Sequence, residues 1–437
     1  MKIRILPLTL VCITLLTLGC TSNKALRKVG PEPCEYQGEQ SCTENYITTA
    51  SSSEPEAQYS YSLSFVEFDE QGHIQDRKQI NNITKYIRDQ GDDQDIVLFI
   101  HGWHHGAANS DSNVKDFRES LKKLAMRSPS RTVTGVYVGW RGESIDIPII
   151  RKTTFWDRKN VSVQVGLGGV TELLSRLEDI SAKKDRTRLI AIGHSFGGSV
   201  LFSATKNKFY SKLLELDNQR YKLHGQLDEK QFRDTYVLLN PAIENIQYAP
   251  LNDLVNEMVK NQPDIFSASA PPSLTVFMSK GDNATGIAFP VGRFFSTLFE
   301  NHNAVERDDR FGKTVKYSQY AMDVKALGHY TPFITHELES LSDRKTDSFC
   351  KKEPYPKSIP VHSTSTGPNY DSINENWTLE FQESQTKLTH LGNSPAFSPI
   401  WVVSVDESII EDHNAIFGEQ FNCYLEELML LNTPDHN

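Results

Sequence analysis

The chain has no CxxC pair, no internal repeat, no surplus of positive charge and no apolar run long enough to cross a bilayer. Each absence excludes something. Without CxxC spacing there is no case for a zinc knuckle or a thioredoxin-like redox site. Without a repeat there is no case for a repeat architecture. Lys and Arg number 46 against 56 Asp and Glu, a formal charge of −10. Phosphate binding needs a basic surface, so no nucleic-acid partner is expected. The longest mostly apolar stretch, residues 5–18, falls short of the about 20 residues that span a membrane. What remains is a globular balance, 38% hydrophobic and 23% charged over 437 residues. That length suits one large domain with insertions or two smaller ones.

Residues 1–19 read as a targeting signal, with Lys2 and Arg4 ahead of the apolar stretch. The stretch ends in Leu16-Thr17-Leu18-Gly19-Cys20, which resembles the lipobox of bacterial lipoproteins. The resemblance implies cleavage before Cys20, lipidation of its thiol and amine, and a location in the bacterial cell envelope. With Thr21 next, it implies the outer membrane of a diderm cell. Residues 20–57, rich in Ser, Thr, Glu and Pro, read as a flexible tether between lipid and a folded domain over residues 58–437. Cys34, Cys42, Cys350 and Cys423 remain after processing. In an oxidising compartment this even set is compatible with two disulfides, 34–42 and 350–423, or with four free thiols.

From residue 59 onward apolar strands alternate with amphipathic helices. Residues 96–100, 135–140, 189–192, 236–239, 274–278 and 400–405 are apolar runs of the length of strands buried on both faces. Helical patterns occupy 80–87, 114–126 and 163–180. Strands alternating with helices predict an α/β fold with a mostly parallel sheet flanked by helices. Residues 206–232 and 300–395 depart from the alternation and read as insertions. The second lies before the last strand and is too long to lack structure of its own.

Gly193-His194-Ser195-Phe196-Gly197-Gly198 follows an apolar strand and leads into a helical pattern. This is the G-x-S-x-G nucleophile elbow in its strand–turn–helix context. Serine at the tip of a tight turn needs a strained backbone, and glycines beside it remove colliding Cβ atoms. The helix N-terminus behind it favours developing negative charge. Upstream, residues 96–100 run into His101-Gly102-Trp103-His104-His105-Gly106, resembling the oxyanion loop of α/β hydrolases. That resemblance makes the backbone N–H groups of Trp103 and Phe196 the oxyanion donors. A rival reading takes His101, His104 and His105 as metal ligands, but no acidic partner stands beside them in sequence. No metal and no cofactor are therefore expected.

The motifs from Phe99 to Gly106, Val136 to Gly142 and Thr154 to Lys159 resemble a largely uncharacterised family of bacterial and fungal α/β hydrolases described as esterases or lipases. The resemblance runs from Phe65 to the C-terminus. It implies the α/β-hydrolase fold and a serine nucleophile acting on a small-molecule or lipid ester. The catalytic acid should follow a later strand. Asp282, after residues 274–278, fits, with Glu244 as alternative. For the histidine the expectation is His413, between the strand at 400–405 and a terminal helix, with His329 second and His336 third. Burying the strongly apolar strand centrally favours His413 over the half-polar 319–327, expected to be an edge strand or hairpin. An amidase, a thioesterase, or a partner-binding lipoprotein with an idle site are the other functions compatible with this pattern.

Overall fold

The computed structural model describes residues 24–54, 58–142, 155–222, 234–263, 265–266, 272–297, 300–342, 349–350, 362–363, 377–395 and 397–431. The expected signal and Cys20 lie outside them. So do parts of both expected insertions and Thr154 of the last family-like motif.

The strands are β1 (Cys34–Glu35), β2 (Ile47–Ser52), β3 (Tyr59–Glu67), β4 (Gln94–Ile100), β5 (Thr132–Gly139), β6 (Arg188–His194), β7 (Thr235–Leu239) and β8 (Leu274–Ser279). Beyond them come β9 (Ala304–Asp308), β10 (Thr314–Ser318), β11 (His336–Ser340), β12 (His362–Ser363), β13 (Thr378–Phe381), β14 (Thr386–His390) and β15 (Ile400–Val405). Thirteen described strands form one sheet in the order β1-β2-β3-β5-β4-β6-β7-β8-β15-β11-β14-β13-β12. From β3 to β11 every neighbouring pair is parallel. Antiparallel pairing enters only toward the two edges. The fold is α/β, with a large, mostly parallel central sheet.

Helices cover both faces: α1 (Arg77–Arg88), α2 (Ser112–Arg127), α3 (Phe155–Val165), α4 (Thr171–Ala182), α5 (Phe196–Lys222), α6 (Asn245–Asn261), α7 (Phe289–Ser296), α8 (Gln319–Val324) and α9 (Glu419–Leu431). Strand alternation explains the two cores. Ile96, Leu98 and Ile100 of β4 join Ile80 and Ile83 of α1 and Leu173 of α4 on one side. Val97 and Phe99 join Phe117 of α2 and Phe421 and Leu428 of α9 on the other. A central strand must therefore be apolar at every position, as the sequence pattern requires. α1 and α2 start where Asp76 and Asp111 accept the N–H groups of Lys78 and Asn113.

Three expectations are corrected. The helix expected over 163–180 breaks at Gly166–Val170, where Gly168 leaves helical angles; glycines hold helical geometry weakly. Residues 319–327 form α8 and a turn rather than an edge strand, because Ser318 caps the segment by accepting from Ala321 N. The tether expected over 20–57 is incorporated into the fold from Lys24: β2 pairs antiparallel with β3, and Arg27 is fully buried. Cys34–Cys42 and Cys350–Cys423 are both disulfides, with Cα atoms 5.9 and 5.6 Å apart. The region before the last strand carries structure, as expected: β11, β14, β13 and β12 extend the sheet beyond β15.

β4 lies between β5 and β6. The chain leaves β4 for one side and, after β5, resumes on the other. Such a reversal opens a crevice above the carboxyl ends of the strands. α9 closes the far face through Phe421, which meets Phe277 edge-on at 5.3 Å between ring centroids. Phe421→Ala, which removes a wholly buried ring, is expected to cost about 3–5 kcal/mol. A denaturant titration showing a midpoint unchanged from the parent would contradict this packing.

Candidate active site

Ser195 stands directly after β6, at the crevice. Its φ is +56°, a left-handed conformation that a non-glycine residue adopts at a cost of about 1–3 kcal/mol. The surroundings impose it. Ser195 N–H donates to Leu239 O at 2.9 Å, and its carbonyl accepts from Gly198 N at 3.0 Å and Ala242 N at 3.1 Å. A Cβ on Gly197 would lie 2.0 Å from Ile100 O, and one on Gly193 2.4 Å from Gly197 O. Only glycine lets α5 begin this close to the end of β4.

His413 lies in the loop between β15 and α9. Its Nε2 is 2.9 Å from Ser195 Oγ and its Nδ1 2.8 Å from Asp282 Oδ2. Asp282 emerges after β8, the neighbour of β15. A Cβ on Gly281 would sit 2.2 Å from Glu411 O, so this glycine allows the two loops to meet. The Asp282 carboxylate is buried and also accepts from Ala284 N (2.9 Å), Thr285 N (3.0 Å) and Thr285 Oγ1 (2.5 Å). Burial would raise its pKa, but His413 and Thr285 outweigh that and hold it below the ordinary value.

Three residues that sequence reasoning did not single out position the His413 loop. His194 Nε2 meets the His413 carbonyl at 2.8 Å. Asn240 Nδ2 donates to the same carbonyl at 3.1 Å, while its Oδ1 accepts from Ser279 N at 2.9 Å. Ser279 Oγ donates to Ile410 O at 2.5 Å. The sequence signal was present: His194, Asn240 and Ser279 are polar residues at the carboxyl ends of three neighbouring buried strands, where sites form.

The His101–Gly102 turn packs on Ser195, since a Cβ on Gly102 would be 3.0 Å from Ser195 Cβ. Among the described residues neither the Trp103 nor the Phe196 N–H is engaged by a carbonyl. His101 Nε2 accepts from Trp140 N at 3.2 Å, leaving Nδ1–H to donate to Gly102 O at 2.9 Å. His105 Nδ1 meets Asp111 Oδ1 at 3.1 Å, an acidic partner that sequence proximity did not reveal. Both imidazoles thus serve the loop's own structure.

The alternatives named for each role are placed elsewhere. Glu244 is buried in ion pairs with Lys159 and Arg293. His329 Nε2 contacts Thr285 Oγ1 at 3.0 Å and reaches Asp282 only through that hydroxyl. His336 is buried on β11, its ring packed against those of Trp377, His390 and Trp401.

Compared with protein-family models, with curated proteins and with solved structures, the chain gives no match.

Burial lowers the His194 pKa to about 3, with nearby His413 adding to the effect, and burial lowers that of His101 to about 4. Both rings stay neutral in the folded protein where an unfolded chain, with histidine near 6.5, would take up protons. Their contribution to stability is full above about pH 6.5 and is lost progressively as pH falls toward 4 and then 3. Urea unfolding at stepped pH should show this acid limb, and His194→Gln should flatten it. A limb identical in the variant would contradict the assignment.

Proposed function

We propose that this chain is a serine hydrolase of the α/β-hydrolase fold that cleaves carboxylic esters through an acyl-enzyme. The observation that carries the reading is His413, bonded at once to Ser195 Oγ (2.9 Å) and to Asp282 (2.8 Å), with Ser195 on a strained strand–turn–helix elbow.

In the proposed reaction Ser195 Oγ attacks the ester carbonyl as His413 Nε2 takes its proton. Asp282 keeps the Nδ1–H tautomer and stabilises the imidazolium. The N–H groups of Trp103 and Phe196 receive the oxyanion, at the N-terminus of α5; removing one such donor typically costs about 3 kcal/mol. His413 then protonates the leaving alcohol oxygen as the carbon–oxygen bond breaks. Water enters, gives its proton to His413 and attacks the acyl carbon. Collapse releases the acid and returns the proton to Ser195. Every proton is handled by these side chains, so the scheme requires no cofactor. We also read Cys20 as the site of lipidation, placing the enzyme on a membrane of the cell envelope. Among the described residues no helix is long and apolar enough to cross a membrane.

Ser195→Ala should reduce hydrolysis of p-nitrophenyl acetate by about 10⁴-fold or more while leaving the circular dichroism spectrum unchanged. His413→Ala should lose both turnover and labelling by a fluorophosphonate probe, whereas His329→Ala should keep most of each. Full activity in a folded Ser195→Ala protein would sink the reading. Cys20→Ser should move the protein out of the membrane fraction or leave an unprocessed precursor; unchanged association and mobility would refute the anchor.

A further inference from the structure

Only three residues, Thr21, Ser22 and Asn23, separate Cys20 from Lys24, where the described chain begins, and Lys24 lines a cavity next to the turn that packs on Ser195. Lys24 and Leu26 line one cavity with His104, His105 and Gly142. Gly142 closes on the oxyanion-type turn, since a Cβ there would lie 2.9 Å from Gly102 O, and Gly102 in turn abuts Ser195. The segment is fixed in place. Leu26 and Arg27 N–H groups donate to the Glu67 carboxylate at 2.9 and 2.8 Å. The buried Arg27 guanidinium donates to Ala107 O at 2.7 Å and to Asn109 Oδ1 at 2.8 Å.

Two magnitudes then decide the orientation. The four Cα-to-Cα steps from Cys20 to Lys24 at full extension reach about 14 Å. A folded body of this size has a radius of gyration of about 22 Å. A leash shorter than the radius does not let the protein turn this face away from the membrane that holds Cys20. The surface chemistry agrees. Leu26 and Val29 are 45% and 47% exposed, and Lys24 and Lys28 are exposed beside them, in a chain whose formal charge is −10. Apolar side chains among cations suit an anionic lipid surface.

We propose that residues 24–29 rest on the lipid surface, that the mouth beside Ser195 faces the same leaflet, and that the substrate is an acyl ester carried in that membrane. This rests on the Ser195 hydrolase and Cys20 anchor readings.

The test uses the full lipidated chain reconstituted in phosphatidylethanolamine–phosphatidylglycerol vesicles that also carry a long-chain fluorogenic ester. p-Nitrophenyl acetate in the aqueous phase serves as the soluble control. Inserting a Gly/Ser spacer of about thirty residues between Thr21 and Lys24 lengthens the leash without touching the fold. Turnover of the vesicle-borne ester should fall about tenfold as the effective concentration drops, with acetate turnover unchanged. Leu26→Ser with Val29→Ser should lower vesicle turnover in the same direction. Equal vesicle turnover with and without the spacer overturns the proposal. Absence of Ser195-dependent acetate turnover, or failure of the parent to sediment with vesicles, instead overturns the hydrolase or anchor reading, and the proposal falls with it.

Discussion

The close approach of the first turn of α5 to the last carbonyl of β4 is the constraint on which the rest of the molecule depends. With Gly197 against Ile100 O and Gly193 against Gly197 O, a methyl group at either position would drive the helix off the sheet. Ser195 is then left no choice of backbone angle, and bonds to Leu239, Gly198 and Ala242 tie it to β7 and α5. The strain, about 1–3 kcal/mol, is small against what holds α5 in place. Val200, Leu201, Phe202, Phe209 and Leu213 are all buried, and each such side chain contributes about 1.5–3 kcal/mol. The packing of the helix therefore outweighs the strain of the one unfavourable angle it imposes.

The same economy of close contact governs the histidine. Two imidazoles address the same carboxylate: His413 bonds Asp282 Oδ2 directly and His329 reaches it through Thr285 Oγ1. A hydroxyl has one proton to give. Because Thr285 donates it to the carboxylate, it accepts from His329, which fixes Nε2–H on that ring. His329 thus supports the Asp282 carboxylate, and among the described residues His413 is the histidine that reaches Ser195 Oγ. Four hydrogen bonds on a buried carboxylate favour its ionised form, the state in which it orients an imidazole.

Much of this was legible in the sequence because burial on both faces leaves a plain signature. The six apolar runs from residue 96 onward are strands of the parallel sheet, and β15 pairs with β8, which brings His413 beside Asp282. The choice of His413 over His329 rested on that burial argument; in the structure His413 Nε2 lies 2.9 Å from Ser195 Oγ, and His329 Nε2 meets Thr285 Oγ1 instead. What was not legible depended on contacts distant in sequence. Residues 319–327 are half polar in either a strand or a helix, so their pattern could not separate α8 from an edge strand. The polarity of His194, Asn240 and Ser279 at strand ends was visible in the sequence, but their partners, the backbone carbonyls of residues 410–413, were not, because a carbonyl carries no sequence signal. Asp111 is six residues from His105, and only the turn between them makes the pair.

The N-terminal segment is the sharpest case, because its composition argued for a tether. One buried side chain reverses that expectation. Desolvating a guanidinium costs several kcal/mol, so Arg27 can be buried only if its donors find acceptors, and they do. Nε and Nη2 both reach Ala107 O, Nη2 also reaches Asn109 Oδ1, and Nη1 reaches Cys42 O. The cation lies 3.8 Å from the Phe65 ring centroid. Burial lowers its pKa to about 10, leaving it charged at neutral pH, so the acceptors remain obligatory. Asn109 in turn donates to Glu39 O and Ser41 O inside the loop closed by Cys34–Cys42. The residues that follow the oxyanion-type turn are therefore held from the N-terminal side by a guanidinium and a covalently closed loop. The segment nearest Cys20 and the backbone beside Ser195 are parts of one rigid scaffold, so anything that fixes the first in space also fixes the second.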